Sequence, residues 1–136
     1  MKDEEIKQTI ASSKTVAVVG ISPKEDRPSY VVAAYLKAKG FRIIPVRPDG
    51  DRILGEKVYR SLQEIPGNIG IDIVDIFRKS EDVPPIVEEA IQRGAKVIWM
   101  QEGVIHPEAG KKAAQAGLKV VMDRCIKKDH QRLFQK

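Results

Sequence analysis

The chain has 136 residues, of which 42% are hydrophobic and 32% are charged, and its formal net charge is +5. This length suits one domain whose core needs neither disulfides nor a structural metal. The single cysteine, Cys125, excludes an internal disulfide framework. No apolar run approaches the roughly 20 residues of a membrane span, and the charged segment from Met1 to Lys7 lacks a signal-peptide core. We therefore expect a cytoplasmic protein without a membrane partner.

Extended and helical segments alternate along the chain. Five apolar or alternating segments are predicted to be strands, at residues 15–19, 41–46, 71–77, 96–100 and 118–122. Residues 52–54 are a candidate for a sixth, short strand. Helices are predicted from helical spacing, first-turn prolines and terminal glycines at residues 3–12, 29–39, 80–93, 106–116 and 126–134, with Ser80 as the cap of the third.

This alternation predicts βαβ units and a parallel sheet. Right-handed crossovers then lead to an α/β fold, a Rossmann-like three-layer sandwich with a five- or six-stranded, mainly parallel sheet. Counting the five main strands along the chain, we expect an order of about 3-2-1-4-5. Residues 1–136 are predicted to form one domain.

Arginines recur at the predicted carboxyl ends of the strands, where open parallel sheets bind ligands. They are Arg27, Arg47, Arg78 and Arg124. Three of these arginines, from three different loops, can converge on one crevice, and guanidinium groups match phosphate oxygens through paired hydrogen bonds. The helix that begins near Ser29 also directs free backbone amides at this crevice. The sequence therefore predicts a site for a polyphosphate ligand.

The loop after the first strand is not a standard dinucleotide motif. It reads Gly20-Ile21-Ser22-Pro23 instead of G-x-G-x-x-G. The second strand ends in Arg47 and lacks the acidic residue that holds a ribose. An arginine there favours an extra ribose phosphate, which both NADP and coenzyme A carry, whereas the missing glycines weigh against a nicotinamide cofactor. Interspersed acids and few aromatic residues argue against nucleic acid.

Several short motifs resemble the small bacterial and archaeal CoA-binding proteins, which are similar to the CoA-binding domain of the succinyl-CoA synthetase α subunit. The first is Val16-Ala17-Val18-Val19-Gly20-Ile21-Ser22, followed by Arg27-Pro28-Ser29. Further matches are Pro45-Val46-x-Pro48, Gly55-x-x-x-Tyr59-x-Ser61-Leu62, Asp75-Ile76-Phe77-Arg78, Trp99-Met100-Gln101-x-Gly103 and Val121-Met122-Asp123-Arg124-Cys125. The resemblance covers nearly the whole chain.

This resemblance implies a coenzyme A site, with roles assigned position by position. The backbone amides at the pyrophosphate would be those of Gly20, Ile21 and Ser22. The side chains at phosphate would be Arg27 and Ser29. The residues flanking the adenosine end would be Pro45, Val46, Arg47 and Pro48. The residues along the adenine or pantetheine path and the far rim would be Phe77, Arg78, Val83, Gln101 and Gly103. The family usually has asparagine where this chain has Arg47, so the contacts of that position are the open part of this assignment.

Candidate catalytic groups are few. His106 and His130 have no serine or cysteine partner nearby in sequence, and no residues show the spacing of metal ligands. The second domain, which carries the catalytic histidine of the synthetase subunit, has no counterpart here. We therefore expect a protein that binds CoA or acyl-CoA without catalysis of its own, serving redox or metabolic regulation. The alternatives are an NADP-dependent oxidoreductase, a subunit of a CoA-dependent ligase or transferase, and an interaction protein whose site has lapsed. A homodimer is left open.

Three further groups carry expectations. Asp75 is expected inside the third main strand, bonded to loop amides or paired with Arg78 or Arg124. Asp123 and Arg124 are expected to form a structural ion pair. Cys125 is open to two interpretations: a reactive thiol that forms a mixed disulfide with CoA or between subunits, or a buried and inert side chain, which we favour.

Overall fold

The computed structural model describes residues 1–134. Its strands in chain order are β1 (Thr15–Val19), β2 (Arg42–Val46), β3 (Arg52–Ile53), β4 (Glu56–Lys57), β5 (Ile73–Ile76), β6 (Val97–Met100) and β7 (Lys119–Val121). Its α-helices are α1 (Asp3–Ala11), α2 (Pro28–Ala38), α3 (Val83–Gln92), α4 (Pro107–Gln115) and α5 (Ile126–Phe134). Within residues 1–134, no helix is both long and apolar enough to cross a membrane.

Five strands form a parallel sheet in the order β2-β1-β5-β6-β7, and β3 and β4 form a separate antiparallel hairpin. Every neighbouring pair in the five-stranded sheet is parallel. The predicted α/β class and the five-stranded parallel sheet are confirmed.

The strand order differs in one detail from the expected 3-2-1-4-5. The third main strand, β5, lies beside β1, with Val16 opposite Ile73 and Val19 opposite Ile76. The outer edge of β2 is occupied instead by Tyr59, whose N–H donates to Pro45 O at 3.0 Å. The chain then crosses to the far side of β1, where β5 joins the sheet. The order therefore reverses between β1 and β5, and the loops after these two strands lie at the position where open parallel sheets commonly bind ligands.

Helices cover both faces of the sheet. Alternate side chains of each strand enter two separate cores, so that Val18 of β1 packs on one side and Val19 on the other. Helices α1 and α2 contact α5 on the first side, and α3 contacts α4 on the second. This arrangement is the three-layer sandwich that the pattern predicted.

Two helix starts show how local chemistry sets the boundaries. Pro28 occupies the first turn of α2, where its missing N–H costs no hydrogen bond. The predicted third helix begins later than expected, because residues 80–82 form a 3-10 turn before α3. The Ser80 hydroxyl oxygen does not cap α3 but accepts from the Ile105 N–H at 2.8 Å. Ser80 therefore joins this turn to the loop after β6.

Candidate functional site

A cleft of about 1110 Å³ lies at the carboxyl ends of β1, β5 and β6. Nine of the fourteen predicted ligand-binding residues line it: Gly20, Ser22, Arg27, Ser29, Arg47, Phe77, Arg78, Gln101 and Gly103. The other five lie outside the lining: Ile21, Pro45, Val46, Pro48 and Val83. Of these, Pro48 is exposed and the remaining four are buried. The sheet topology thus brings most of the predicted residues together, and their contacts with a ligand remain predictions.

The loop after β1 is held close to the end of β5. Gly20 has a φ of +89°, and a Cβ atom there would lie 2.3 Å from Phe77 O. Only glycine accepts both the positive φ and this approach. The Gly20 N–H donates to Val46 O at 2.9 Å, and the Ser22 N–H donates to Ser29 Oγ at 2.9 Å. These two amides therefore already have partners within the protein.

The N-terminal end of α2 opens onto the cleft, because Arg27, Pro28 and Ser29 line it. The N–H groups of Ile21, Ser29 and Tyr30 have no hydrogen-bond partner within residues 1–134. Ser29 is only 4% exposed, and its hydroxyl oxygen accepts from Ser22, which leaves the hydroxyl proton for another acceptor. Free amides, a hydroxyl donor and the positive end of the helix dipole together favour an anion.

The charges around the cleft are unevenly paired. Three cations of the lining, Lys24, Arg27 and Lys79, form no ion pair within the described part of the chain. Arg78 pairs with Asp82 at 3.2 Å. A further lining residue, Glu102, accepts from Lys128 at 3.0 Å, and this hydrogen bond raises the pKa of Lys128. Of the acidic residues in the lining, Asp82 and Glu102 are paired with cations. The unpaired cations therefore give the cleft a positive character.

The far rim joins the loop after β6 to the start of α5. Gln101 is 4% exposed, and its Oε1 accepts from the Ile126 N–H at 3.1 Å. The Gly103 N–H donates to Asp123 Oδ1 at 2.7 Å. The expected ion pair between Asp123 and Arg124 is not formed, because Asp123 is engaged by this amide and Arg124 Nε donates to Asp129 Oδ2 at 2.7 Å instead.

Ten residues of the lining were not among the predicted ligand contacts: Pro23, Lys24, Pro28, Val32, Lys79, Glu81, Asp82, Glu102, Val104 and Cys125. Most of them follow β1, β5 or β6 directly, so their position after a strand was the available signal. Val32 gave no such signal, because it lies one turn inside α2. Cys125 is 9% exposed, which agrees with the expected buried thiol, yet it borders the cleft.

Asp75 lies inside β5, as expected, but the expected partners are wrong. It is fully buried, and neither carboxyl oxygen has a hydrogen-bond partner among residues 1–134. Arg78 is engaged by Asp82 and Arg124 by Asp129, so neither guanidinium is available. Burial raises the pKa of the Asp75 carboxyl well above its usual range.

The histidines have structural partners. His106 Nδ1 accepts from the Ala109 N–H at 3.0 Å and so caps α4. His130 Nδ1 lies 2.7 Å from the Tyr35 hydroxyl, and its ring stacks on Phe134. Burial, and then the charge of Lys39, lowers the pKa of His130. Among residues 1–134, no group of histidine, cysteine and carboxylate side chains is arranged to hold a metal ion.

Comparison with known proteins agrees with this geometry. Residues 14–131 match the family model described as CoA binding domain. The chain is 44% identical over 126 residues to the uncharacterized protein YneT of Bacillus subtilis, covering 93% of this chain and 92% of that protein. A solved structure of a hypothetical protein from Pyrococcus horikoshii OT3 superposes with a TM-score of 0.93 at 41% identity, covering 98% of this chain and 92% of that one.

Longer enzymes also contain a related segment. An ADP-forming acetate–CoA ligase II of Archaeoglobus fulgidus is 34% identical over 105 residues, which are 75% of this chain but 15% of the ligase. The chain thus spans only a small part of these ligases. The family match covers most of the chain, and it bears out the resemblance that the sequence motifs carried. The chain belongs to the family of CoA binding domains.

Proposed function

We propose that this chain binds coenzyme A or an acyl-CoA in the cleft, as a carrier, sensor or regulatory partner without catalysis of its own. The observation that carries this proposal is the set of unpaired cations, Lys24, Arg27 and Lys79, beside the open N-terminal end of α2 at the reversal of strand order. Coenzyme A carries a pyrophosphate and a ribose phosphate, which suit several cations held in separate loops.

Within residues 1–134, the positions of the two histidines and of the buried carboxylate are consistent with the non-catalytic part of the proposal. His106 is engaged as a helix cap and His130 with Tyr35. The buried Asp75 carboxyl is not among the residues that line the cleft. A cytoplasmic location, the absence of a nucleic-acid partner, a single domain over residues 1–136 and an optional homodimer belong to the same proposal.

Calorimetric titration with CoA, acetyl-CoA, dephospho-CoA and NADP tests the ligand class. We expect CoA to bind and NADP not to bind. Lys79→Gln removes an unpaired cation of the cleft and should weaken CoA binding by about tenfold, the effect of one charge-assisted contact. Lys14→Gln makes the same charge change at an exposed position at the start of β1, the opposite edge of the sheet, and is the control. Binding of NADP without CoA would make the oxidoreductase alternative the better one.

A second candidate function is a subunit of a CoA-dependent ligase, which the aligned segment of the acetate–CoA ligases favours. The test is to incubate the purified chain with acetate, ATP and CoA and to measure acetyl-CoA. We expect no turnover by the chain alone. Formation of acetyl-CoA would replace the non-catalytic proposal with a catalytic one.

A further inference from the structure

Arg47 makes contacts within the protein that a residue binding only a ligand phosphate would not need. Its side chain is 23% exposed and directly follows β2. Nε donates to the Asp49 carbonyl and to Asp49 Oδ1, both at 2.9 Å, and Nη2 donates to Oδ1 at 2.6 Å. Nη1 donates to Ile21 O at 3.1 Å. Most of its N–H donors are therefore used before any ligand arrives.

The contact with Ile21 fixes one particular peptide group. Ile21 O and the Ser22 N–H belong to the same planar unit and point in opposite directions. Arg47 holds the oxygen, and Ser29 Oγ accepts from the N–H at 2.9 Å. A chain of hydrogen bonds thus runs from Asp49 through Arg47 and this peptide to the hydroxyl of Ser29.

The last group in this series of hydrogen bonds, the Ser29 hydroxyl, lies at the cleft. Ser29 is in the first turn of α2, lines the cleft and is 4% exposed. Because its oxygen accepts from Ser22, its hydroxyl proton is left to donate elsewhere. If the peptide rotates, Ser29 loses this orientation. Hydrogen bonds in such chains also polarise and strengthen one another.

We propose that Arg47 is a positioning residue: tethered by Asp49, it locks the Ile21–Ser22 peptide so that the Ser29 hydroxyl donates to a ligand phosphate. This inference rests on the proposed function and deepens it. It replaces the simpler idea that Arg47 reads the ribose 3′-phosphate of CoA. Loss of a residue that binds this phosphate would weaken the affinity for CoA but not for dephospho-CoA. Loss of a residue that orients the loop would weaken the affinity for both ligands alike.

The test compares calorimetric affinities for CoA and dephospho-CoA in the wild type, Arg47→Gln, Ser29→Ala and the double variant. We expect Arg47→Gln to weaken both ligands by the same factor, about tenfold, and the double variant to lose little more than either single variant. Arg47→Lys should recover part of the affinity. Arg60→Gln is the matched control, because Arg60 donates to Pro48 O in the same region but does not contact Ile21.

Three outcomes overturn the inference while leaving the proposed function intact. They are a loss confined to CoA, independent and additive losses in the double variant, or unchanged affinity in Arg47→Gln. If Arg47→Gln does not fold, Asp49→Ala removes the carboxylate part of the tether and leaves Arg47 in place, and its exposed position makes misfolding of that variant a poor explanation for a loss.

A second measurement does not depend on any ligand. Hydrogen exchange of the free protein should show faster exchange in the loop at residues 20–23 for Arg47→Gln than for the wild type or Arg60→Gln. Unchanged exchange there would overturn the locking role. If the wild type binds neither CoA nor dephospho-CoA, the proposed function fails, and the exchange experiment still decides whether Arg47 locks the loop.

Discussion

Gly20 allows the loop after β1 to lie close to the end of β5. Its φ of +89° and the 2.3 Å distance between an added Cβ and Phe77 O are two separate obstacles to any other residue. Gly40 has a similar φ of +97°, but an added Cβ there meets nothing within 4 Å. Comparing alanine variants of the two glycines therefore distinguishes the free-energy cost of the backbone conformation from the cost of the close approach to Phe77 O.

Gly20→Ala should lower the free energy of unfolding by about 3 kcal/mol, because strain of this kind costs 1–3 kcal/mol and the carbonyl contact adds to it. Gly40→Ala should cost only about 1–2 kcal/mol. Urea denaturation monitored by circular dichroism measures the free energy of unfolding of both variants. Equal losses would show that the Phe77 carbonyl yields easily and that Gly20 is needed for its φ alone.

Asp75 is the other residue that tertiary structure places in an unusual environment. Its carboxyl is buried without a hydrogen-bond partner in residues 1–134, and burial raises its pKa. The unfolded chain ionises this group at about pH 3.9. The folded protein therefore binds more protons than the unfolded chain above that pH, and the stability contributed by this group is present below it and is lost as pH rises toward the folded pKa.

Asp75→Asn removes this proton linkage while keeping the size of the side chain. We expect the stability difference, variant minus wild type, to increase as pH rises from about 4 to 7, the range that begins at the ordinary aspartate pKa. Urea denaturation at several pH values measures it, and Asp51→Asn, at an exposed position, is the control for loss of surface charge. A difference that stays constant with pH would mean that Asp75 is ionised in the folded protein.

At the scale of elements, Arg93 joins the end of α3 to the segment between the hairpin and β5. Its guanidinium donates to four carbonyl oxygens of residues 62–69, those of Leu62, Ile65, Pro66 and Ile69, at 2.6–3.2 Å. This segment has little regular structure beyond one 3-10 turn, so the guanidinium supplies donors that a helix or sheet would otherwise provide.

Arg93→Gln should lower the free energy of unfolding by about 2 kcal/mol, because hydrogen bonds from a charged donor are lost and partly buried carbonyls are left unpaired. Arg52→Gln is the matched control, since Arg52 is exposed and its guanidinium makes a single hydrogen bond among residues 1–134, to Gly55 O. The control should change stability by less than about 0.5 kcal/mol. Similar losses in the two variants would show that Arg93 does not hold the segment.

Element positions also show what a pattern of residues can predict. The apolar run placed β1 at Thr15–Val19, and the glycines after α2, α3 and α4 placed the ends of these helices to within one residue. The start of α3 was missed because Ser80 bonds to Ile105, which lies 25 residues further along the chain. A serine hydroxyl can serve either as a helix cap or as a partner in a tertiary hydrogen bond, and the local sequence does not distinguish these two uses.

At the scale of the whole molecule, the cleft concentrates part of the net charge of +5 at one edge of the sheet. Charges that attract an anionic ligand through partly open solvent are screened by salt. We therefore expect the affinity for CoA to fall by roughly tenfold between 50 and 500 mM NaCl, and less steeply in Lys79→Gln. Calorimetric titration at each salt concentration measures this, and a salt-independent affinity would mean that apolar contacts dominate binding.

The amino-acid pattern was enough to predict the class of the fold, because strand and helix periods depend on neighbouring residues, and to predict which loops lie at the carboxyl edge of the sheet. It also predicted that candidate phosphate-binding side chains follow several strands. The position of β5 beside β1 became known only from the folded structure, because strand order depends on contacts between segments that are distant in sequence. The folded structure likewise placed Arg47 against Ile21 and left the Asp75 carboxyl without a hydrogen-bond partner among residues 1–134, because hydrogen bonds between distant loops depend on distances that no local pattern encodes.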